Sequence, residues 1–352
     1  MQKLMVTGGA GFIGSNFARM ILEKYPDYHV MVYDKFTYAG NPDNLQDLND
    51  NPRFNIIKGD ITDADKVEET IKTYGIDTIV NFAAESHVDR SIEGPDGFIK
   101  TNLNGVYVLL EATRKFGLER FLQVSTDEVY GAVLEGSSKE TDLLEPRSPY
   151  SSSKAGGELM AQAYYITYGA PTLVTRGSNT YGPYQYPEKM LPLFITNIIE
   201  DKPVPMYGDG MYVRDWMHVL DHSAGIDLVL HKGELGQIYN VGGGNEHPNI
   251  EVTYSMLERL GKPRSLINFV ADRPGHDRRY SVDTGKIHEL GWSPQVQFEK
   301  GLADTVDWYR NNDWWWKKIK SGEFAEYYAR MYEQREILRK HDDEPSEDTP
   351  AS

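Results

Sequence analysis

Short apolar runs alternate with longer amphipathic ones through the first half of the chain. The runs KLMVT (3–7), HVMVY (29–33), FNIIK (54–58), TIVNFA (78–83), FLQVS (121–125) and TLVTR (172–176) predict strands. Between them, apolar positions recur at helical spacing over about 12–24, 63–74, 98–116 and 151–168. Near-continuous apolar strands separated by helices predict a parallel sheet covered on both faces, which right-handed crossovers make doubly wound. After about residue 180 the texture changes to YGPYQYPEK, DKPVPMYGDG and VGGGNEHPN, rich in Pro, Gly and Tyr. A smaller, loop-rich α/β lobe over the carboxyl end of the sheet is expected. The expected division is 1–180 for the sheet and 181–340 for the lobe, with a segment near 215–245 rejoining the sheet through the strand-like IYNV (238–241). Further helical patterns lie near 250–260, 299–311 and 315–339, and Trp314-Trp315-Trp316 reads as packing between the lobes. The closing HDDEPSEDTPAS (341–352) is polar and acidic and predicts a disordered tail.

The stretch TGGAGFIG (7–14) joins the first predicted strand to the first predicted helix. Gly9, Gly11 and Gly14 satisfy G-x-G-x-x-G, and Gly8, Gly11 and Gly14 satisfy G-x-x-G-x-x-G. Glycines there allow a tight turn, close approach of a pyrophosphate and close helix–strand packing, with free N–H groups around Phe12 and Ile13 aimed at the phosphates. Asp34 ends the second strand, twenty residues after Gly14. A carboxylate there accepts hydrogen bonds from ribose hydroxyls and repels a 2′-phosphate, which favours NAD over NADP, although the adjacent Lys35 weighs the other way. Phe36 and Thr37 continue that loop, Asp60-Ile61 could hold an adenine edge, and Ala83-Ala84-Glu85 and Thr101 could complete the wall beside the pyrophosphate. The fold class is thus a Rossmann-like doubly wound sheet, with a ligand-free βα turn as the alternative.

Composition narrows the partners. With 39% hydrophobic residues in 352, the chain can bury a sizeable core, and its formal charge of -16 argues against nucleic-acid polymers or anionic membranes. A small anionic ligand held by a few arginines stays open. Cysteine is absent, so there are no disulfides, no thiolate nucleophile and no Cys-based zinc site. No metal centre is expected, and a cytoplasmic enzyme is the default. No run approaches the ~18–20 apolar residues of a membrane span. The opening MQKLMVTGG enters a strand at once, with no room for a signal peptide.

Two stretches carry chemistry. Tyr150 and Lys154 share a helix face at i, i+4, and the ammonium is expected to pull the phenol below its usual ~10. A lowered tyrosine can take a hydroxyl proton while a hydride leaves for nicotinamide; a surface Tyr–Lys pair is the plain alternative. In STDEVYG (125–131), Thr126, Asp127 and Glu128 follow an apolar-rich run. Either the acids form a solvated turn, or repulsion and burial split their proton affinities, as an elimination requires: one takes a proton, the other gives one to a departing hydroxyl.

Together the glycine spacing, the Tyr150/Lys154 pair and the strand–helix pattern resemble the extended short-chain dehydrogenase/reductase superfamily over residues 1 to about 340. Within it, STDEVYG, DKFTYAG (34–40), AAESHVDRSI (83–92), SNTYGPYQYPEKMLP (178–192), YVRDWMHV (212–219) and ADRPGHDRRY (271–280) are similar to segments of the dTDP-glucose 4,6-dehydratases. The resemblance implies NAD, oxidation of the sugar at carbon 4, loss of water across carbons 5 and 6, and hydride return to carbon 6. It implies Thr126 as a hydrogen-bond donor to the carbon 4 oxygen, Asp127 as general acid and Glu128 as general base. It also implies nucleotide-sugar contacts from Ser86, Thr126, Asn179, Lys189, Met190, Pro205, Met206, Tyr207, Arg214, Asn249, Asp272, Arg273, Pro274, Gly275 and His276, and a homodimer. Chemistry agrees for Arg214 and Arg273, whose forked donors suit a diphosphate. One departure is Thr180, where the family segment has an Asn against the nicotinamide carboxamide. UDP-glucose as substrate, a 4-epimerase or decarboxylase, and a non-catalytic NAD sensor are the competing readings.

Overall fold

The computed structural model describes residues 1–321, 323–333 and 335–341. Six strands of the first half are β1 (Lys3–Thr7), β2 (His29–Asp34), β3 (Phe54–Lys58), β4 (Thr78–Asn81), β5 (Arg120–Thr126) and β6 (Thr172–Gly177). The second half adds β7 (Asn179–Tyr181), β8 (Val204–Tyr207), β9 (Val213–His218), β10 (Ile238–Val241), β11 (Glu246–Pro248), β12 (Ile267–Val270) and β13 (Ile337–Lys340). The main sheet runs β10-β6-β5-β4-β1-β2-β3 with every pairing parallel. Side-chain alternation explains why it is covered twice. Leu4, Val6, Val30, Val32, Leu122 and Val124 face the helices Phe12–Lys24 and Val219–Lys232, while Met5, Met31, Tyr33 and Phe121 face Ala64–Tyr74 and Val106–Phe116. The order reverses between β1 and β4, so the first crossover helices diverge and leave a crevice at the carboxyl ends.

The helix Pro149–Tyr168 crosses from β5 to β6. Proline at its first position and a reciprocal Ser148/Ser151 capping box fix where it begins, and hence where Tyr150 and Lys154 stand. A buried ion pair anchors its middle: Arg176 Nη2 lies 2.5 Å from Glu158 Oε1, and Arg176 Nη1 donates to the Tyr130 hydroxyl at 2.6 Å.

The single helix expected over 98–116 is instead Asp96–Ile99, a π-helical turn Lys100–Gly105 and Val106–Phe116. Asn102 explains the wide turn. Its side chain bonds the Glu85 backbone in both directions at 2.9 Å and donates to Ser153 Oγ, tying β4's exit to the helix Pro149–Tyr168. The 315–339 helix is also corrected. Helices Asp313–Ile319 and Glu323–Tyr328 are separate, and Ile337–Lys340 becomes a strand against β12.

The smaller lobe packs Phe194, Ile195, Met206, Trp216, Phe269 and Trp316 into its own core. Trp315 is buried in that core and donates to Asn44 Oδ1 at 2.8 Å, while Asn44 Nδ2 donates to the Ala10 carbonyl at 2.9 Å, so the tryptophan cluster is tied to the glycine turn. Trp314 is exposed. The tail expected at 341–352 lies outside the described residues except for His341, which meets the Tyr254 hydroxyl at 3.0 Å.

Candidate active site

The crevice at the strand ends is a cavity of about 310 Å³. At one end the glycine turn makes contacts no other residue permits. Gly8 has φ +66°, and a Cβ there would stand 2.6 Å from the Ala83 nitrogen; at Gly14 it would stand 2.5 Å from the Gly8 oxygen. Gly8, Gly11, Phe12, Ile13 and Gly14 therefore form a backbone floor, opposed by Ala83, Ala84, Glu85 and Thr101. Asp34 is fixed at the rim: Oδ2 accepts from the Ala10 N–H at 3.0 Å and Oδ1 from the Phe36 N–H at 2.8 Å. Burial raises its pKa against those bonds. Lys35 reaches Asp60 at 2.7 Å, so its ammonium already has a carboxylate partner and is not poised for a phosphate. Thr37, Asp60 and Ile61 also line this end, whereas Phe36 packs into the core off the wall. A glycine floor at a helix start, a carboxylate at the second strand's end and a small-residue wall fit NAD.

At the other end, Ser125, Thr126, Asp127, Glu128, Tyr150, Lys154, Asn179 and Thr180 converge. The Thr126 hydroxyl accepts from the Glu128 N–H and donates to Asp127 Oδ1, each at 3.3 Å, while Asp127 Oδ2 is buried without a partner among the described residues. Desolvation, then repulsion from Glu128 and Asp215, pushes Asp127 well above the usual carboxylate range. Glu128 is raised too, by burial, but Arg273, Lys189 and Arg214 pull it back. The two acids are therefore unequal, with Asp127 the one that keeps its proton. Tyr150 does not have the lowered pKa expected from its spacing to Lys154. Burial and then Glu128 raise it, and Lys154 gives its ammonium to the Val124 carbonyl at 2.6 Å. Burial lowers Lys154 itself to about 8.

A second cavity of about 150 Å³ opens from the acids into the lobe, sharing Glu128, Asn179, Glu188 and Lys189 with the first. Met190, Pro205, Met206, Tyr207, Arg214, Asn249, Arg273 and His276 line it, and Ser86 lies on the first wall. Arg214 is buried, donates to the Val213 and Asp277 carbonyls at 2.7 and 2.9 Å and lies over the Tyr280 ring. Its hydrogen bonds include no carboxylate. Arg273 Nη1 donates to Asp89 Oδ1 at 2.9 Å, and its Nε has no partner among the described residues. Asn179 Oδ1 and Asn249 Oδ1 are likewise unpartnered. Lys189 donates to the Ser86 carbonyl at 2.5 Å. Burial lowers His276 to about 4 although Asp272 Oδ1 lies 2.7 Å from its Nδ1. Asp272, Pro274 and Gly275 are exposed and stand off both walls.

Several wall residues escaped the sequence reading. Asp89 holds Arg273 and accepts from the Tyr207 hydroxyl at 3.0 Å; it lies within the quoted segment AAESHVDRSI, but its neighbours His87 and Arg90 are polar too, so nothing local singled it out. Glu188 accepts from Arg90 Nε at 2.9 Å, and its place beside Lys189 was a weaker one. Trp216, His222 and Tyr332 reach the walls only through tertiary folding and carry no local mark.

The chain matches the family model described as GDP-mannose 4,6 dehydratase over residues 5–305. It is 49% identical over 321 residues to a dTDP-glucose 4,6-dehydratase from Actinoplanes sp., covering 90% of this chain and 100% of that protein. A solved dTDP-glucose 4,6-dehydratase from Streptomyces venezuelae with NAD bound shares 51% identity at a TM-score of 0.88, covering 91% of this chain and 100% of that one. One from Bacillus anthracis in complex with NAD shares 47% at 0.85, with the same coverage. The chain belongs to the dTDP-glucose 4,6-dehydratase family of the extended short-chain dehydrogenase/reductase superfamily.

Proposed function

We propose that the protein dehydrates dTDP-glucose to dTDP-4-keto-6-deoxyglucose with NAD. The observation that carries this reading is the adjacent, unequal pair of acids in the cleft, buried Asp127 and half-buried Glu128, with Glu128 on the wall of both cavities. NAD, when bound, supplies the acceptor for the hydride of carbon 4 and its later donor to carbon 6. Tyr150 takes the proton of the carbon 4 hydroxyl, and Lys154, one turn along the same helix, supplies positive charge to that end of the cleft. Thr126 donates a hydrogen bond to the carbon 4 oxygen. The resulting ketone acidifies carbon 5, Glu128 removes that proton, and Asp127 gives its proton to the hydroxyl leaving carbon 6. Water forms from that hydroxyl and the Asp127 proton, and Glu128 returns a proton to carbon 5 as the hydride reaches carbon 6. Arg214 and Arg273, cations with donors to spare in the second cavity, hold the diphosphate. Pro205, Met206 and Tyr207 wall the base, and Ser86, Asn179, Lys189, Met190, Asn249 and His276 complete the nucleotide-sugar contacts.

In this reading residues 1–180, with the return segment 215–245, bind NAD, and 181–340 bind the nucleotide sugar. Ile99, Tyr107, Leu159, Ile166 and Tyr168 are exposed on the helical faces of 96–116 and 149–168. Their apolar surface supports a homodimer through those helices. The absence of cysteine supports a cytoplasmic location. Incubation with dTDP-glucose and NAD in deuterated water tests the function. Loss of water with deuterium at carbon 5 is expected; inversion at carbon 4 without water loss means an epimerase, and faster turnover of UDP-glucose transfers the reading to that base.

A further inference from the structure

His222 lies at the chemical end of the cleft, and no step of the proposed reaction uses it. It belongs to the helix Val219–Lys232, is 2% exposed and lines the first cavity beside Gly177, Ser178 and Thr180. Register pairs Gly177 with Thr126, which places the histidine behind the strand tip that carries the acids. Its seat depends on the glycine. A Cβ at position 177 would stand 2.5 Å from His222 Nε2 and 2.6 Å from Cε1, so the imidazole occupies the space that a side chain there would fill.

One assignment of protons makes both Thr180 contacts hydrogen bonds. Thr180 has one hydroxyl proton, and it donates that proton to the Ser178 carbonyl at 3.1 Å. The same oxygen lies 2.8 Å from His222 Nδ1, so this second bond runs from Nδ1–H to Thr180 Oγ1. Burial lowers His222 to about 4, which leaves the ring neutral near pH 7. Nε2 is then a bare lone pair, and it is buried with no partner among the described residues. A buried acceptor without a donor is costly to keep.

We propose that His222 Nε2 accepts a hydrogen bond from the carboxamide N–H of nicotinamide, with Gly177 and Thr180 holding the imidazole in place, and so sets which ring face is turned to the sugar. The inference rests on the NAD reading above. Its ligand chemistry is a primary amide donor, which the nicotinamide end of the dinucleotide carries and an acetyl group in the same position lacks.

Calorimetric titration of the substrate-free protein with NAD and with 3-acetylpyridine adenine dinucleotide tests it. The wild type is expected to prefer NAD by about 10-fold, one buried hydrogen bond. His222→Phe should bring the ratio close to one while leaving affinity for the acetyl analogue nearly unchanged. Thr180→Val keeps the imidazole but removes the acceptor for Nδ1–H; it should reduce the ratio and shift the 15N signals of His222 away from the Nδ1–H tautomer. Equal loss of both ligands in His222→Phe, or an unchanged ratio in both variants, overturns the proposal and leaves the histidine as packing. Failure of the wild type to bind either dinucleotide overturns the NAD reading itself.

Discussion

Exchanging Asp127 for Asn and Glu128 for Gln separates the two acids by what each can still do. Asp127 is held neutral by burial and by the two carboxylates near it, Glu128 and Asp215. Asparagine therefore reproduces its charge and still accepts from Thr126, but it has no proton to release. General acid–base groups contribute about 10²–10⁴ in rate, or about 3–5 kcal/mol of barrier, and each exchange should remove that much from overall turnover. The variants should differ in the partial reaction. In deuterated water, Asp127→Asn keeps Glu128 and should wash deuterium into carbon 5 while water loss nearly stops. Glu128→Gln should block both. Time-resolved NMR of the sugar reads the two events separately. Because the native Asp127 side chain is already uncharged, Asp127→Asn should stay within about 0.5 kcal/mol of wild-type stability, which guards against reading a folding defect as chemistry. Undiminished carbon 5 exchange in Glu128→Gln refutes the base assignment. Equal loss of exchange and water release in both variants refutes the division of labour.

Other expectations concern the scaffold. Gly8→Ala places a Cβ 2.6 Å from the Ala83 nitrogen at φ +66°; it should cost about 2 kcal/mol or more in thermal unfolding and weaken NAD in titration. Glu158→Gln leaves Arg176, only 2% exposed, with an uncompensated buried charge, and should cost about 3–5 kcal/mol in denaturant unfolding. His222 is held to about 4 in the fold against 6.5 for a free imidazole, so the unfolded chain binds a proton that the folded one does not as pH falls through that window. Its contribution is therefore lost on acidification, by up to about 3 kcal/mol. Asp127, Glu128 and Asp34, raised by burial, titrate in the opposite sense, so the readout is a difference: unfolding free energy should fall less between pH 7 and pH 5 in His222→Phe than in wild type, and parallel curves would contradict this.

Local pattern was legible wherever one residue's neighbours in sequence are also its neighbours in space. Leu4 and Val6 against Met5 announce a two-faced strand, and the glycine turn announces the start of the next helix. Ile337–Lys340 could not be read that way. Its strand state is set by β12, whose residues lie some seventy positions earlier, and an isolated stretch with mixed polarity gives no sign of that partner. The π turn at Lys100–Gly105 is set by Asn102 reaching the Glu85 backbone, again a distant contact. At the site, the Tyr150–Lys154 spacing placed both groups correctly on one helix but said nothing of direction. Lys154 turns to the Val124 carbonyl on β5, and burial followed by Glu128 raises Tyr150 instead. His222 looked like any helical histidine, since its chemistry comes from the gap at Gly177 and the hydroxyl of Thr180.

The inequality of the two acids comes from the lobe, not from the strand that carries them. Asp127 is buried and the adjacent Glu128 half-buried, and loss of water raises both. The three cations that pull Glu128 down, Arg273, Lys189 and Arg214, all belong to the second cavity's wall. Arg214 has no carboxylate among its hydrogen bonds, and Arg273 keeps a free Nε, so the cations retain capacity for a further anion. A diphosphate held there would neutralise part of the field on Glu128. Its pKa, already raised by burial, would then rise further toward neutrality, where a general base is most efficient. Binding the nucleotide and strengthening the base would then be the same electrostatic event. A sugar without its diphosphate would meet a carboxylate still weakened by three cations, so truncation should cost turnover as well as affinity.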